Sequence, residues 1–348
     1  MNGQQWRLSW PSGQGGRIAK AVLRAQPEHF LVDEALGLAG FPSVPVDVQA
    51  LLEGEPLPGQ GEHLCVRLEK RGDNTDYVAR ELAGLAGCQP HDIGFCGLKD
   101  RHAVTRQWFS VSRPGMMDSD ADFLAAVRAR WSLLDACRFT RKLRRGEHQA
   151  NHFNLLLTEV EGEPEQINAR LALIAEVGCP NYFGSQRFGW HGNNLEQACR
   201  MKPGRQRGRN RLQGLYFSAA RSWLFNEVLA ARVADGTWTE AMNGEPEAGA
   251  VTGPLWGDGG TRADAEQGSL ERELVTRHPR LEAVFSQTRM KPERRSLVLC
   301  PVGLSWQWEG AGDLRLMFGL SPGQFATVLL DDVFELTDAA QASHNIAE

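Results

Sequence analysis

Short segments in which hydrophobic and polar residues alternate predict a protein with several strands. Leu64, Val66 and Leu68 alternate with polar side chains, and a period of two residues is typical of a half-buried strand. The further segments that are predicted as short strands or ordered apolar segments are residues 92–95, 107–111, 153–160, 297–299 and 314–318. Strands are therefore expected in both halves of the chain.

Helices are predicted between these strands by a period of about 3.6 residues. One begins at Asn74, presents Val78 and Leu82 on one face and ends at Gly87, since Asn suits a helix N-cap and Gly suits the left-handed turn that closes a helix. The other predicted helices run from Pro164 to Gly178, cover residues 218–234, and follow Pro322 with Phe325 on a buried face.

Residues 241–267 show neither pattern. They are rich in Gly, Pro and acidic side chains, which predicts loops outside the core. Strands outnumber the helices that lie between them, so the sequence predicts an α+β protein with a mixed or antiparallel sheet.

Composition limits the class of protein further. A chain of 348 residues that is 42% hydrophobic fits a soluble globular protein. It has no apolar run long enough to cross a bilayer and no signal-peptide block at its start, so we expect a cytoplasmic protein without a membrane partner. The seven cysteines form no CxxC pair and no His–Cys cluster with zinc-ligand spacing, which predicts buried thiols and no metal site.

The charge distribution is uneven. A formal net charge of −5 does not suggest a nucleic-acid partner, because affinity for a phosphate backbone depends on Lys and Arg. Two basic runs, residues 138–145 and 200–211, nevertheless stand in this acidic chain. A single run is commonly a solvated surface, whereas two runs favour an RNA or DNA partner.

Asp100 is the first candidate for chemistry, on a glycine-initiated connection between two predicted strands. Lys99 and Arg101 flank it, and nearby positive charge favours an ionised carboxylate, which can act as a nucleophile. An aspartate that only accepts hydrogen bonds within its own turn explains the same spacing. Charge and spacing leave both interpretations open.

Sequence patterns typical of other catalytic or cofactor-binding sites are incomplete or chemically unsuitable in this chain. The glycine-rich residues 13–16 and 253–257 match neither GxxxxGK[ST] nor a Rossmann fingerprint, so no nucleotide cofactor is expected. Residues 319–323 match GxSxG, but Pro322 has no N–H to give to an oxyanion hole, so Ser321 and Pro322 are interpreted as a helix start. The histidines match neither a zinc-protease nor a zinc-deaminase motif.

Five separated motifs, taken together and in order, resemble the TruD-type family of tRNA pseudouridine synthases. The resemblance extends from about residue 23 to the C-terminus. The motifs are QPEHFLVDE at residues 26–34, GLKDRHAVTRQW at 97–108, RKLRRG at 141–146 leading to NHF at 151–153, PNYFGSQRFG at 180–189, and FAT at 325–327.

The resemblance implies a fold and a domain organisation. It implies an α+β pseudouridine-synthase catalytic domain with a mixed, largely antiparallel sheet flanked by helices, interrupted by an inserted α/β TRUD domain. The expected division is residues 1–176 for the first part of the catalytic domain, 177–299 for the TRUD insertion and 300–348 for the C-terminal part of the catalytic domain.

The resemblance also implies an activity: isomerisation of the uridine at position 13 of tRNA to pseudouridine. Such an isomerisation needs no redox change and no hydrolysis, so neither a cofactor nor a metal is expected. The expected partner is tRNA, with the glutamate tRNA as the first candidate, and no protein partner is required. The sequence leaves open which other RNAs are modified.

The motifs then assign roles to particular residues. The resemblance implies that Asp100 is the nucleophile, attacking either C6 of the base or C1′ of the ribose, and that Arg24 pairs with it as the second catalytic residue. The uridine must leave the RNA stack to be reached. The residues expected to bind the flipped nucleotide are Phe30, Asn151, Phe153 and Phe325, and those expected to contact the RNA backbone are Arg141, Lys142, Arg144, Arg145, Arg205 and Arg207.

A protein that binds tRNA without modifying it is the alternative from another class. It explains the basic runs and the aromatic residues equally well. It gives no reason for Asp100 to stand together with Asn151 and Phe153.

Overall fold

The computed structural model describes residues 6–42, 46–201, 211–286, 288–310 and 312–340. The strands are β1 (Ala19–Leu23), β2 (Phe30–Ala35), β3 (His63–Arg71), β4 (Gly94–Phe95), β5 (Val104–Ser112), β6 (Ser132–Phe139), β7 (Ala150–Glu161), β8 (Cys179–Pro180), β9 (Thr252–Leu255), β10 (Glu293–Ser296), β11 (Val298–Leu299), β12 (Val302–Glu309), β13 (Asp313–Leu320) and β14 (Phe334–Asp338). The helices are α1 (Val48–Leu52), α2 (Thr75–Ala86), α3 (Asp120–Arg128), α4 (Pro164–Val177), α5 (Asn193–Cys199), α6 (Arg211–Ala234), α7 (Ala265–Thr276), α8 (Pro279–Glu282) and α9 (Ala326–Asp331).

A large mixed sheet dominates the fold. Its strand order is β12-β13-β7-β2-β5-β3-β6, with β1 pairing with β7 and β14, and β4 with β5. β2 and β5 run parallel, whereas β7 pairs antiparallel with β2 and β13, and β3 pairs antiparallel with β5 and β6. This arrangement confirms the predicted α+β class with a mixed, largely antiparallel sheet.

The helices with clear sequence signals form where they were predicted. The Asn74 side chain accepts a hydrogen bond from the backbone N–H of Tyr77, at 2.8 Å, and Gly87 closes α2 with a φ of 64°. Val78 and Leu82 on α2 are fully buried against hydrophobic residues of β3 and β5, so α2 covers one face of the sheet.

The chain divides into two compact units. The sheet unit comprises Lys20–Glu161, Val302–Gly323 and Leu336–Glu348, and the helical unit comprises Met1–Ala19, Gly162–Pro301 and Gln324–Glu335. By its contacts α4 belongs to the helical unit, whereas the division predicted from the sequence placed it in the first part of the catalytic domain. The assignment of a catalytic domain and a TRUD insertion to particular residues stays a prediction.

Residues 241–267 correct one expectation. They contain β9, the start of α7 and the buried side chains of Trp256, Ala263 and Gln267. Arg294 orders them, because its guanidinium binds Glu271 at 2.7 Å and Glu245 at 3.2 Å in a setting where the three charged groups are almost fully buried. A buried ion pair between distant residues leaves no hydrophobic period in the sequence, which is why the segment was interpreted as loops.

The segment after Pro322 also differs from its prediction. The helix begins at Ala326 rather than at Pro322, and Gly323 adopts a φ of 82° in the turn that precedes it. Phe325 is therefore the extended, half-buried N-cap residue and not part of the buried helical face.

Two features of composition can be compared with the structure. Cys65, Cys96, Cys137 and Cys179 are buried as predicted, whereas Cys300, in the connection after β11, is exposed. Among the described residues no helix is long and apolar enough to span a bilayer.

Candidate active site

Arg24 joins two carboxylates at the end of β1. One nitrogen of its guanidinium hydrogen-bonds Asp100, while Nε and Nη2 together bind Asp338, with an Nε–Oδ1 distance of 3.1 Å. Burial opposes the charge of Arg24, but the hydrogen bonds that Arg24 donates to Asp338 and the charges of both carboxylates outweigh it, so the pKa of Arg24 is raised. The backbone of Arg24 has a φ of 59°, a left-handed conformation that costs a non-glycine residue about 1–2 kcal/mol and persists where surrounding contacts hold it.

Asp100 is oriented at both carboxylate oxygens. Oδ1 accepts the backbone N–H of His102 at 2.9 Å, and Oδ2 accepts the hydrogen bond from Arg24. The side chain keeps 40% of its surface accessible to solvent. The result is a carboxylate that is held in one orientation and is still open to a substrate atom.

A buried network fixes the loop that carries Asp100. Lys99 Nζ lies 2.6 Å from Glu34 Oε2, and the two side chains are 6% and 0% exposed. Burial raises the pKa of Glu34, and the charge and hydrogen bond of Lys99 oppose this increase. The loop is also held by hydrogen bonds from Lys99 N to Thr75 Oγ1 at 2.9 Å and from Gln107 Nε2 to Gly97 O at 2.6 Å.

This network also shows which cation pairs with the Asp100 carboxylate. Lys99 is adjacent in sequence, but its ammonium is bound to Glu34. Arg24, which lies 76 residues away along the chain, is the cation that binds the Asp100 carboxylate.

One face of the sheet gathers the other side chains. Glu34 lies opposite Asn151, and Val32 lies opposite Phe153, in the pairing of β2 with β7. Directly opposed residues of neighbouring strands project from the same face. Glu34, which binds Lys99 beside Asp100, therefore lies on the same face as Asn151 and Phe153.

Three aromatic rings and Arg24 continue this face. The ring of Phe153 lies 6.1 Å from that of Phe30 in an edge-to-face arrangement and 5.3 Å from that of Phe318 in a stacked one. The guanidinium of Arg24 lies 5.5 Å from the centre of the Phe30 ring. The sequence-predicted residues Asp100, Arg24, Phe30, Asn151 and Phe153 are thus brought together in the sheet unit.

His148 orients the amide of Asn151. Nδ2 of Asn151 lies 3.0 Å from Nε2 of His148, so a neutral imidazole accepts a hydrogen bond from the amide. Oδ1 of Asn151 is buried and has no hydrogen-bond donor among the described residues. The amide oxygen is therefore an acceptor whose hydrogen-bonding capacity is left unused by the described residues.

His148 is expected to make the fold sensitive to acid. Burial and the charge of Lys99 lower its pKa to about 4, from an ordinary value of 6.5. The unfolded chain therefore binds a proton that the folded chain does not, and stability is lost as the pH falls from about 6.5 towards 4. Replacing His148 by Gln should make the loss of unfolding free energy between pH 7 and pH 4.5 smaller by about 1–2 kcal/mol, a figure that allows for solvent screening. Urea denaturation at the two pH values measures this difference.

The matched control is His152→Gln, since His152 lies four residues further along the chain and is exposed on β7. Its loss of stability between the two pH values should equal that of the wild type. An equal loss in the His148→Gln protein would contradict this role of His148.

Known proteins resemble this chain along almost its whole length. The family model described as tRNA pseudouridine synthase D (TruD) matches residues 11–200. A tRNA pseudouridine synthase D from Marinobacter nauticus is 53% identical over an alignment of 350 residues that covers 98% of each chain. Another from Pseudomonas syringae pv. tomato is 40% identical over 364 aligned positions, which cover 96% of this chain and 97% of the relative.

The chain belongs to the tRNA pseudouridine synthase D family. This membership confirms the predicted family and the predicted enzyme class, an isomerase that acts on uridine in tRNA. A solved structure from Methanosarcina mazei, described as a tRNA pseudouridine synthase D, has the same fold with a TM-score of 0.62 and 17% identity, and the match covers 97% of this chain and 98% of that one.

Phe325, Arg205 and Arg207 were also predicted as site residues. Phe325 belongs to the helical unit, where its ring lies 6.5 Å from that of Phe183, and its contact with the nucleotide stays a prediction. Arg205 and Arg207 lie outside the described residues.

Residues 141–145 of the first basic run lie in a loop of the sheet unit, whereas Arg138 is buried in β6 and paired with Asp120. Arg141 binds Glu147 at 2.8 Å, Lys142 donates a hydrogen bond to the carbonyl of His91, and Arg144 and Arg145 are exposed. The loop is tied to the segment that carries Asp100, because the backbone N–H of Gly146 donates to the carbonyl of Cys96 at 2.8 Å.

Several residues of the site were missed by the sequence interpretation. Glu34 and Gln107 lie within quoted motifs, so a search of the motifs for further polar residues could have found them, whereas Thr75 lies outside the motifs at the start of α2. Asp338 and His148 carry no motif signal. Their positions depend on pairing with residues that are distant in the sequence or on the fold of the connecting loop.

Proposed function

We propose that this enzyme isomerises the uridine at position 13 of tRNA to pseudouridine, with Asp100 as the nucleophile. The observation that carries the proposal is the state of the Asp100 carboxylate, which is held by Arg24 and by the backbone of its own turn while part of its surface remains open. A carboxylate fixed in this way can attack without a large loss of conformational freedom.

The proposed reaction balances within the nucleotide. The bond between C1′ and N1 breaks, a bond between C1′ and C5 forms, the C5 proton leaves and N1 takes up a proton. Asp100 attacks C6 of the base or C1′ of the ribose and is released at the end, so both routes regenerate the carboxylate. No oxidant, reductant or water molecule is consumed.

The base is expected to leave the RNA stack before the reaction. A flipped uracil needs an apolar surface for its ring and a polar partner for its edge. Phe153 supplies a ring that is only half-buried, and the buried Oδ1 of Asn151, which has no donor among the described residues, is the proposed acceptor for the N3–H of uracil. Phe30 is buried, so its contribution is to support Phe153 and Arg24.

The exposed basic loop of residues 141–145 is the proposed contact of the sheet unit with the tRNA backbone. Phosphate contacts of Arg and Lys position an RNA without reading its sequence. The glutamate tRNA is the first substrate to test.

The test uses unmodified glutamate tRNA transcripts with either uridine or cytidine at position 13. After incubation with the wild-type protein, pseudouridine is mapped chemically along the RNA. Pseudouridine at position 13 of the first transcript and at no position of the second is the expected result. Modification at another position would overturn position 13 as the proposed target. Tight binding without any product would favour the alternative, a protein that binds tRNA without modifying it.

Replacing Arg24 by Lys tests the pairing of Asp100. An ammonium cannot bind two carboxylates with the fork that Arg24 uses, and Asp338 competes for it. We expect the single-turnover rate of pseudouridine formation to fall about 10- to 150-fold, since one charge-assisted hydrogen bond is worth about 1.5–3 kcal/mol. Adding Asp338→Asn should restore part of the rate, because the lysine is then free for Asp100, and an unchanged rate in the single variant would contradict the role of Arg24.

A further inference from the structure

Two arginines of the helical unit lie against the same aromatic ring. The guanidinium of Arg295 is 4.2 Å from the centre of the Phe183 ring, and that of Arg187 is 5.4 Å from it. Stacking on an aromatic face orients a guanidinium and leaves its edge free for hydrogen bonds.

Both arginines lack a neutralising carboxylate among the described residues. Arg187 donates to Ser218 Oγ at 3.1 Å, and Arg295 donates to Asn181 Oδ1 at 2.6 Å, so the partners are neutral. Burial lowers the pKa of Arg187 and, with the charge of Arg187 added, lowers that of Arg295 to about 10. Both side chains are still cations at neutral pH.

Arg294 provides a direct contrast, because it is the next residue in the chain and is bound by two glutamates. Partly buried charges in folded proteins are normally paired, since desolvation is costly without a counter-charge. Two neighbouring cations without a carboxylate are therefore a place where the fold accepts an anion.

We propose that Arg187 and Arg295, stacked on Phe183, form a phosphate-binding site for the backbone of the RNA substrate. A guanidinium matches a phosphate with two parallel hydrogen bonds, and tRNA is the phosphate-bearing partner of this family. The proposal rests on the proposed function in its choice of tRNA rather than free phosphate. Phe325, which is predicted to contact the nucleotide, lies beside Phe183 in the same unit.

The test measures the affinity for glutamate tRNA at several NaCl concentrations. Loss of one phosphate contact makes the negative slope of log Kobs against log [salt] less steep by about 0.7–0.9. Arg187→Gln should show this change and weaker binding, whereas Arg187→Lys, which keeps the charge, should keep most of the slope. Arg187 carries the test because its guanidinium donates a single hydrogen bond among the described residues, to Ser218.

The control is Arg277→Gln, which removes the same charge from an exposed ion pair with Glu273 in the same unit. Its slope should equal that of the wild type. An unchanged slope for Arg187→Gln, or an equal decrease for Arg277→Gln, would overturn the proposal.

A second arm separates RNA from free phosphate. Inorganic phosphate at constant ionic strength should raise the melting temperature of the wild type little, and by the same amount in Arg187→Gln. A rise that is lost in Arg187→Gln, together with an unchanged tRNA slope, would assign the site to free phosphate and overturn the RNA proposal. These binding results do not depend on pseudouridine formation, so a failure of the proposed function would be seen separately in the wild-type modification assay.

Discussion

Replacing Asp100 by Ala is expected to abolish pseudouridine formation and to leave tRNA binding largely intact. The proposed nucleophile has no substitute among the nearby described side chains, because Lys99 is bound to Glu34 and Asp338 is bound to Arg24. Removal of a nucleophile commonly costs roughly 10⁴-fold or more in rate. The carboxylate contributes little to the affinity for a polyanion, so the tRNA dissociation constant should change less than about threefold.

Asp338→Asn is the matched control for this experiment. Asp338 shares Arg24 with Asp100 but is assigned no bond to the substrate. Its replacement should lower the single-turnover rate by about tenfold at most, because Arg24 keeps its hydrogen bond to Asp100. Normal product formation by Asp100→Ala, measured by the same chemical mapping, would contradict the nucleophile, whereas equal losses in both variants would assign Asp100 only a structural role.

The parts of the fold that were predicted correctly depend on local signals. α2 has an Asn N-cap, buried side chains at helical spacing and a terminal Gly, and all of these lie within about 14 residues. α4 has the same kind of signal, from Pro164 to Gly178. The order of residues 241–267 depends instead on Arg294, which lies far along the chain, and no pattern within the segment could indicate it.

The residues of the site likewise divide into those that could be predicted from the sequence and those that only the folded chain shows. The resemblance to the family predicted Asp100, Arg24, Asn151 and Phe153 as site residues, and the structure brings these residues together. Asp338 could not be predicted, because it contacts Arg24 across 314 residues and belongs to a strand with no motif. His148 is similarly a consequence of packing, since only the folded chain shows that it touches Asn151.

The buried pair of Lys99 and Glu34 explains how an exposed carboxylate can be held in place. The pair is almost inaccessible to solvent, and it fixes the residue that precedes Asp100, the proposed nucleophile. Thr75 and Gln107 hold the backbone of the same loop. Preorganisation by a second layer of residues leaves the outer face of Asp100 free for substrate, so the loop is rigid on its inner side and open on its outer side.

Replacing Arg294 by Met should strongly destabilise the helical unit. Its guanidinium binds Glu271, which is 0% exposed, and Glu245, which is 4% exposed, so its removal leaves two buried carboxylates without their main counter-charge. Breaking a buried ion pair by removing one partner costs about 3–5 kcal/mol. Urea denaturation followed by the fluorescence of the buried Trp223 and Trp256 would measure the loss.

Two further variants separate charge from packing in this experiment. Arg277→Ala breaks an exposed ion pair with Glu273 and should cost at most about 0.5 kcal/mol, because surface pairs are screened by solvent. Adding Glu271→Leu to Arg294→Met should recover part of the stability, because one unpaired buried charge is replaced by an apolar side chain. If Arg294→Met cost no more than Arg277→Ala, the buried pair could not be what orders residues 241–267, and the apolar contacts of Trp256 would have to account for that order.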